Sequence, residues 1–302
     1  PRAIRDVYKR QGATAFVYNG RFQPETYLEL LQDYQINVLC CTPTEYRMMA
    51  KLNNLQDYNL EHLHSAVSAG EPLNREVVEQ FKRNFNLTVR DGYGQTESTL
   101  LIGFLKDTEP RPGSMGKGIP GSFVTIIDDD GNEVPPHTKG NIAVPLDLPA
   151  LFKGYYKDEE RTKAASAGEY YVTGDLAHKD EDGYFWFEGR RDDIIISSGY
   201  TIGPFEVEDA LTNHPAVKEC AVVASPHEIR GNIVKAFVIL QNDYNGSEEL
   251  IKELQTFCKN EVAPYKYPRA IEFVDDLPKT NSGKIRRVEL RDAEIAKYQN
   301  KN

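Results

Sequence analysis

The chain has 302 residues, 40% of them apolar, which allows a sizeable core and favours two domains over one. It carries 36 lysines and arginines against 46 aspartates and glutamates, so its net charge of −10 argues against sequence-independent binding to nucleic acid. The sequence contains no apolar run of membrane-spanning length and no signal-type segment, so we expect a cytoplasmic protein with a small-molecule substrate.

Neither the four cysteines nor the six histidines have metal-ligand spacing. Cys40 and Cys41 are adjacent, which fits neither a zinc knuckle nor a disulfide scaffold, and Cys220 and Cys258 are isolated. The cysteines lie in or beside apolar stretches, and this placement is typical of small core residues. A metal site built from cysteine or histidine is therefore not predicted.

Residues 24–105 alternate between helix-like and strand-like stretches. The predicted helices are 24–34, 43–52 and 74–84, and the predicted strands are 36–41, 64–68 and 87–90. Helices of about ten residues that alternate with short β-rich runs predict a parallel α/β layer.

Two further textures follow along the chain. Residues 113–144 consist of short runs broken by Gly, Pro and Asp, which predicts antiparallel hairpins and a small barrel. Asp128, Asp129 and Asp130 before Gly131 lack the alternating spacing of a calcium loop and favour a hairpin turn. After residue 192 come predicted helices and strands of a small α+β domain, at 206–213, 219–224, 235–240, 247–262 and 270–274.

These textures predict four segments. Residues 1–11 are interpreted as a non-native or unstructured leader, and residues 12–112 as a partial α/β subdomain. Residues 113–191 form the β-rich subdomain and residues 192–302 the C-terminal domain, with the boundary near 190–193.

The segment "DGYGQTEST" at 91–99 is the first candidate site. Its two glycines around Tyr93 permit close approach of the backbone to a flat or phosphorylated ligand. Thr96 and Glu97 then supply a hydroxyl and a carboxylate, which are oxygen ligands suited to Mg²⁺. An ordinary turn with an exposed glutamate is the alternative.

Three later segments also combine charge with small residues. In "YYVTGDLAHK", Asp175 lies at the end of a strand, where it could accept both hydroxyls of a ribose, and Arg190 could reach the same sugar or a phosphate. In "IIISSGYTIGP", a small polar patch follows an apolar run. In "LPKTNSGKIRR", Lys284 lies in either a solvated basic loop or a loop that presents a catalytic cation.

The order of these motifs decides between the alternatives. "GYGQTE", "YVTGD", "GRRDD" and "PKTNSGK" follow one another, and "SAGEPLN", "LFKGYYKDEERT" and "APYKYPRAIEFVDDLPKTNSGKIRR" accompany them. The chain resembles the adenylate-forming (AMP-binding) superfamily, and most closely its medium-chain acyl-CoA synthetases. The resemblance implies the C-terminal part of such an enzyme: the end of a doubly wound α/β subdomain, a small β-barrel-like subdomain and a mobile α+β lid.

The resemblance also implies a reaction and its site. Such enzymes join a carboxylic acid to ATP, release pyrophosphate, and transfer the acyl group to coenzyme A, with Mg²⁺ at the phosphates. Residues implied for ATP and AMP are Gly70, Glu71, Pro72, Asp91, Gly92, Tyr93, Thr96, Asp175 and Arg190. Glu97 would hold Mg²⁺, Lys284 would bridge the acid and the α-phosphate, and Asp192 would be the hinge. Residues implied for coenzyme A are Ser198, Gly199, Arg230 and Lys259.

The chain departs from the family pattern in ways that keep alternatives open. The glycine-rich phosphate loop and the N-terminal half that carries it are absent from the 302 residues, so we expect a truncated chain with poor turnover. Thr201 stands where close relatives commonly carry arginine. The alternatives are an aryl-CoA ligase, a peptide-synthetase adenylation domain, which the lack of a carrier-protein domain after Asn302 disfavours, and a non-catalytic nucleotide- or CoA-binding fragment.

Overall fold

The structure is a computed structural model that describes residues 12–280 and 284–300. The predicted leader at 1–11 and the Ser-Gly pair before Lys284 lie outside these residues. The helices are α1 (Pro24–Asp33), α2 (Pro43–Ala50), α3 (Arg75–Phe85), α4 (Glu159–Ala164), α5 (Pro204–Thr212), α6 (Glu248–Glu261) and α7 (Arg287–Gln299). Short 3-10 turns occupy Leu55–Asp57 and Arg191–Asp193.

The strands fall into two sheets. The first sheet contains β1 (Val38–Cys41), β2 (Ser65–Ala69), β3 (Val89–Gln95), β4 (Thr99–Gly103), β5 (Gly116–Gly118), β6 (Thr125–Ile127), β7 (Gly140–Pro145), β8 (Ser166–Ala167), β9 (Tyr170–Lys179) and β10 (Tyr184–Arg190). The second contains β11 (Ile195–Ser197), β12 (Tyr200–Ile202), β13 (Val217–His227), β14 (Gly231–Leu240) and β15 (Ala270–Phe273).

The predicted α/β layer is confirmed in the first part of the chain. Strands β1, β2 and β3 pair in parallel, and α1, α2 and α3 pack against them. Helix α2 begins at a capping box, in which Thr42 and Glu45 each accept a hydrogen bond from the other's backbone N–H. Leu28, Tyr46 and Phe81 are fully buried in this core.

The β-rich stretch continues the same sheet instead of closing on itself. The strand order is β1-β2-β3-β4-β5-β10-β9-β7-β6, with β8 paired to β9, and the path ends openly at β6. The predicted small barrel does not close within the described residues. Strands β4 and β5 instead connect β10 to the α/β layer, so the β-rich strands extend an open sheet. The hairpin turn predicted at Asp128 is present, with its carboxylate accepting from the N–H of Asp130 and Asn132.

The C-terminal sheet has the order β12-β11-β14-β13, and β15 adds in parallel to β14. Alternate residues of a strand point to opposite faces of a sheet, and both faces of this sheet pack against other elements. Val222 faces the core formed with α5 and α6, whereas Ala221 and Val223 pack with Leu277 and the neighbourhood of α7. Helices α4 and α7 were not predicted from the sequence.

The two sheets are joined through the short turn Arg191–Asp193. Gly203, just before α5, lies so close to β10 that a Cβ on it would approach the Glu188 carbonyl oxygen to 2.0 Å. Glycine is therefore required at this contact. The predicted boundary at residue 192 lies in this turn, and the four-segment division remains a prediction.

No helix in the described ranges is both long enough and apolar enough to cross a membrane.

Candidate functional site

One cavity of about 410 Å³ gathers the residues implied for ATP and AMP. Its walls include Gly70, Glu71, Pro72, Asp91, Gly92, Tyr93, Thr96, Glu97, Asp175, Arg190 and Lys284. They come from the ends of β2 and β3, from β9 and β10, and from the chain just before α7. The volume suits a small organic ligand.

The hairpin between β3 and β4 presents Thr96 and Glu97. Strand β3 approaches β4 so closely at Gly94 that a Cβ there would lie 2.0 Å from the Thr99 carbonyl oxygen. The second glycine of "GYG" is thus a packing requirement of this hairpin. At Gly92 the nearest atom to an added Cβ is a Leu100 methyl at 3.1 Å, a milder contact.

Asp175 forms part of the cavity wall and is only 5% exposed. Its Oδ2 accepts hydrogen bonds from the Tyr93 hydroxyl and from Gln95 Nε2, both at 2.7 Å. Its Oδ1 faces Arg190, whose Nη1 lies 3.9 Å away. The fixed oxygen orients the carboxylate, and the other oxygen is directed to the cation.

The pKa of Asp175 reflects two opposing effects. Burial raises it, and hydrogen bonds from Tyr93 and Gln95 together with the nearby Arg190 and Lys284 charges oppose that rise. Burial and the Asp175 charge also raise the pKa of Tyr93, which keeps its hydroxyl a hydrogen-bond donor.

Asp91 is the second buried carboxyl of the wall. Its Oδ1 accepts from the Gly92 N–H at 2.9 Å and its Oδ2 from the Leu73 N–H at 3.4 Å. Burial raises its pKa to about 7, although both backbone hydrogen bonds act in the opposite direction. Asp91 therefore changes its charge near neutral pH.

Glu97 is the residue implied for Mg²⁺. Its Oε1 accepts a hydrogen bond from the Tyr155 hydroxyl at 3.0 Å, and it lines the cavity. In the described part of the chain, no group of three or more His, Cys, Asp or Glu residues could hold a metal. A single carboxylate fits Mg²⁺ that is otherwise held by substrate phosphates, which is the usual way that proteins bind this ion.

Lys284 lies beside a β-bridge, and an ion pair holds the chain on each side of it: one pair is made by Lys279 and the other by Arg287. The bridge joins Lys279 and Ile285. Lys279 Nζ bonds Glu219 on β13 at 2.7 Å. Arg287 donates from Nε and Nη2 to the two carboxylate oxygens of Glu208 on α5, at 2.9 and 2.6 Å. These contacts fix the base of the segment that carries Lys284.

Arg190 and Asp192 lie at the connection between the two sheets. The register of β9 and β10 places Arg190 opposite Asp175. The two side chains could therefore contact the same ligand. Asp192 lies in the connecting turn, and its carbonyl accepts from Arg291 Nη1 at 2.6 Å. Its carboxylate is 4.0 Å from Arg190 Nε.

The residues implied for coenzyme A lie away from this cavity's walls. Arg230 Nη1 donates to the Ser198 hydroxyl at 3.0 Å, and the Ser198 N–H donates to the Arg230 carbonyl. Gly199 follows with a positive φ of 83°. Lys259 makes a different contact, with Nζ 4.1 Å from the centroid of the Tyr267 ring.

Several cavity residues escaped the sequence analysis. They are Gln95, Tyr155, Arg161, Tyr171, Thr173, Phe187 and Arg287. Gln95 lies in "DGYGQTEST" and Arg287 in "LPKTNSGKIRR". Their nearness in sequence to Thr96 and Lys284 could therefore have indicated that they line the same cavity. The role of Tyr171, whose hydroxyl donates to Gln95 Oε1 at 3.1 Å, depends on pairing between distant strands.

Comparisons with known proteins give a consistent family. The AMP-binding enzyme family model matches residues 9–156, and the AMP-binding enzyme C-terminal domain model matches residues 206–284. The uncharacterized acyl–CoA ligase YtcI of Bacillus subtilis (strain 168) is 67% identical over 94% of this chain and 54% of its own length. The mitochondrial acyl-coenzyme A synthetase ACSM3 of Rattus norvegicus is 49% identical over 93% of this chain and 49% of its own length.

A solved structure extends the likeness to three dimensions. The anthranilate CoA ligase AuaEII, in complex with anthranoyl-AMP, superposes with a TM-score of 0.87 at 34% identity, over 94% of this chain and 55% of that one. The chain spans about half the length of the curated relatives that it matches. From the two matched family models, we conclude that the chain belongs to the AMP-binding enzyme family, in which the relatives it matches here are acyl-CoA ligases and synthetases.

Proposed function

We propose that this chain carries the adenylate site and the mobile lid of an ATP-dependent acid–thiol ligase. The reaction joins a carboxylic acid to the α-phosphate of ATP with release of pyrophosphate, and the coenzyme A thiol then attacks the acyl carbon of the acyl-adenylate, forming the thioester and releasing AMP. The observation that carries the proposal is that one cavity is lined by Asp175, Arg190, Glu97 and Lys284. The first three come from the first sheet and its hairpin, whereas Lys284 follows the last strand of the second sheet.

Asp175 is suited to bind the ribose. A carboxylate held at one oxygen by Tyr93 and Gln95 keeps a fixed direction toward the cavity. A vicinal diol can donate to such a carboxylate, and the charge-assisted bonds that result are among the stronger ones in proteins. The backbone of Gly70–Pro72 and of Asp91–Tyr93 would form the wall around the adenine.

Lys284 and Arg190 would supply positive charge where the phosphate and the carboxylate meet. Charge that is already positioned stabilises a transition state without reorganisation, and it acts more strongly where water is excluded. Thr96 would contact the α-phosphate. Mg²⁺, bound through Glu97, would neutralise phosphate charge when ATP is present.

Thioester formation would use a second orientation of the lid about Asp192. With Lys284 at the cavity, Ser198, Gly199 and Arg230 do not line it, so the present arrangement corresponds to adenylation. A rotation at the Arg191–Asp193 turn would exchange Lys284 for the Gly199 surface, with Arg230 and Lys259 as contacts for coenzyme A. Motions of lids and domains of this kind complete the catalytic groups of many enzymes and gate the release of their products.

The acid is proposed to be a medium-chain fatty acid. The likeness to an ACSM3 synthetase supports this choice, whereas the likeness to an anthranilate CoA ligase supports an aryl acid as the second candidate. A nucleotide- or CoA-binding role without turnover is a third candidate, because the glycine-rich phosphate loop does not occur in the 302 residues.

Binding of non-reactive acyl-adenylate analogues tests the proposal directly. We expect calorimetry to show binding of octanoyl-sulfamoyl adenosine to the chain, and weaker binding of the benzoyl analogue. Asp175→Asn should weaken octanoyl analogue binding by about tenfold or more, a change of about 1.4 kcal/mol. Asp182→Asn, which alters an exposed carboxylate in the β9–β10 turn, is the matched control.

Each outcome separates the candidates. Tighter binding of the benzoyl analogue would favour the aryl acid, and failure of both analogues to bind would contradict the adenylate site. Binding of the analogues without acid-dependent ATP–pyrophosphate exchange would assign the chain to the non-catalytic role.

A further inference from the structure

Helix α5 is held by two side chains from the α/β layer. Lys51, which follows α2, donates from Nζ to the carbonyl of Thr212 at 2.9 Å and to that of Val217 at 3.1 Å. Thr212 is the last residue of α5, where the carbonyls lack helical partners and the helix dipole is negative. A lysine ammonium is therefore well placed to cap this end of the helix from outside.

Asn74 makes the second contact with α5. Its Nδ2 donates to Asp209 Oδ1 at 2.6 Å, and its Oδ1 accepts from Arg47 Nη1 at 3.0 Å. Because Arg47 can only donate, it fixes which end of the Asn74 amide faces Asp209. Burial raises the pKa of Asp209, and the Asn74 hydrogen bond opposes this rise, so Asn74 supports the ionised carboxylate.

The same helix holds the base of the Lys284 segment. Glu208, one residue before Asp209, makes the bidentate ion pair with Arg287, three positions after Lys284. Glu208 is 5% exposed and its Oε1 also accepts from the Val222 N–H at 2.8 Å, which ties α5 to β13. A continuous set of contacts thus runs from Lys51 and Asn74 through α5 to Lys284.

We infer that Lys51 and Asn74 are positioning residues that hold α5, and with it Lys284, in the adenylating orientation. The inference rests on the proposed function, in which the lid leaves this orientation for thioester formation. Both contacts cross from the α/β layer to the lid and would break on rotation. The Glu208–Arg287 pair lies within the lid and would move with it.

The chemistry of the Lys51 contact suits a reversible attachment. Lys51 bonds neutral carbonyls and not a carboxylate, so its release leaves no unpaired buried anion behind. Burial lowers the pKa of Lys51, which agrees with an ammonium that is withdrawn from water in this orientation.

Spin-label distance measurements on the ligand-free chain test the inference. Labels at Glu29→Cys on α1 and Lys252→Cys on α6 report the separation of the two parts, since both positions are exposed on helices. Cys40→Ser removes the exposed native thiol, and the other cysteines are buried. We expect one narrow distance population for the parent chain.

Lys51→Gln should raise the fraction of molecules with a second label-to-label distance, outside the adenylating orientation, by about tenfold. Lys51→Arg, which keeps the charge, should show the narrow distribution of the parent chain. Asn74→Asp should act as Lys51→Gln does, because it places a carboxylate against Asp209. Aspartate is a favourable N-cap residue, so this change should leave α3 folded. Lys82→Gln, which removes an exposed lysine bonded to Asn86, is the matched control.

A broad distribution in the parent chain, or distributions unchanged by both Lys51→Gln and Asn74→Asp, would overturn the inference. The distance measurement uses no ligand, so it decides the role of these residues even if the octanoyl analogue does not bind. If the analogue binds, its dissociation from Lys51→Gln should be about tenfold faster than from the parent chain. An unchanged dissociation rate would contradict the link between Lys51 and Lys284.

Discussion

Asp91 offers a test of the buried electrostatics of the cavity wall. The carboxyl is 8% exposed, and its two hydrogen bonds come from the backbone N–H groups of Gly92 and Leu73. Asp91→Asn keeps the shape of the side chain and removes its titration. The substitution also exchanges one acceptor for a donor beside a backbone N–H, which lowers stability by an amount that does not depend on pH.

The pH-dependent part of the effect follows from linkage. The folded pKa of Asp91, about 7, lies above the ordinary value of 3.8. The stability that the protonated Asp91 carboxyl contributes is therefore fully present below pH 3.8 and is lost as the pH rises through 7. Between pH 5 and pH 8 the unfolded carboxyl stays ionised while the folded one loses its proton. At 1.36 kcal/mol for each pKa unit, the loss over this interval is about 2 to 3 kcal/mol.

Urea unfolding at pH 5 and pH 8 measures this loss. We expect the stability of Asp91→Asn relative to the parent chain to rise by about 2 to 3 kcal/mol from pH 5 to pH 8. Asp57→Asn, at an exposed position, is the control for general charge effects. A relative stability that changes by less than about 0.5 kcal/mol would refute the view that burial controls Asp91.

Two further predictions concern stability. Glu208→Gln breaks a buried bidentate pair and should lower the free energy of unfolding by about 3 to 5 kcal/mol, whereas Glu289→Gln, which breaks an exposed pair with Arg286, should change it by less than about 1 kcal/mol. Equal effects in urea unfolding would show that burial of the Glu208 pair is unimportant. Gly94→Ala should destabilise the chain by about 2 kcal/mol or more through its contact with the Thr99 carbonyl, and Gly92→Ala should cost less than about 1 kcal/mol. The reverse order of the two glycine variants would contradict the proposed packing of the β3–β4 hairpin.

Local patterns predicted the parts of the fold that local interactions control. Helix α2 begins where Thr42 and Glu45 form a capping box, and α6 begins at Ser247, whose hydroxyl accepts from the Leu250 N–H at 3.1 Å. Helix α7 escaped prediction because its buried position is a glutamate: Glu294 is 5% exposed and bonds Lys235 at 2.8 Å across 59 residues. A charged residue at a core-facing position gives no apolar periodicity.

The site shows the same division. Motif spacing identified the chemical groups at 96, 97, 175, 190 and 284, and the family resemblance supplied their expected roles. The support of these groups depends on long-range pairing that the sequence does not encode locally, such as the bond from Gln95 to Asp175 across 80 positions. The open continuation of the sheet through β5 and β10 is likewise a choice of partners between strands far apart in the chain.

The turn of three residues between β10 and β11 has a consequence for the chemistry of Lys284. A short tether makes the arrival of a side chain at its site an intramolecular event, so an effective concentration replaces the concentration of protein in solution. In the proposed cycle, the fraction of time that Lys284 spends at the cavity is then independent of dilution and depends on the free-energy difference between two orientations. A change of 1.4 kcal/mol at the surface of α5 alters the ratio of the two orientations tenfold without touching any reacting group.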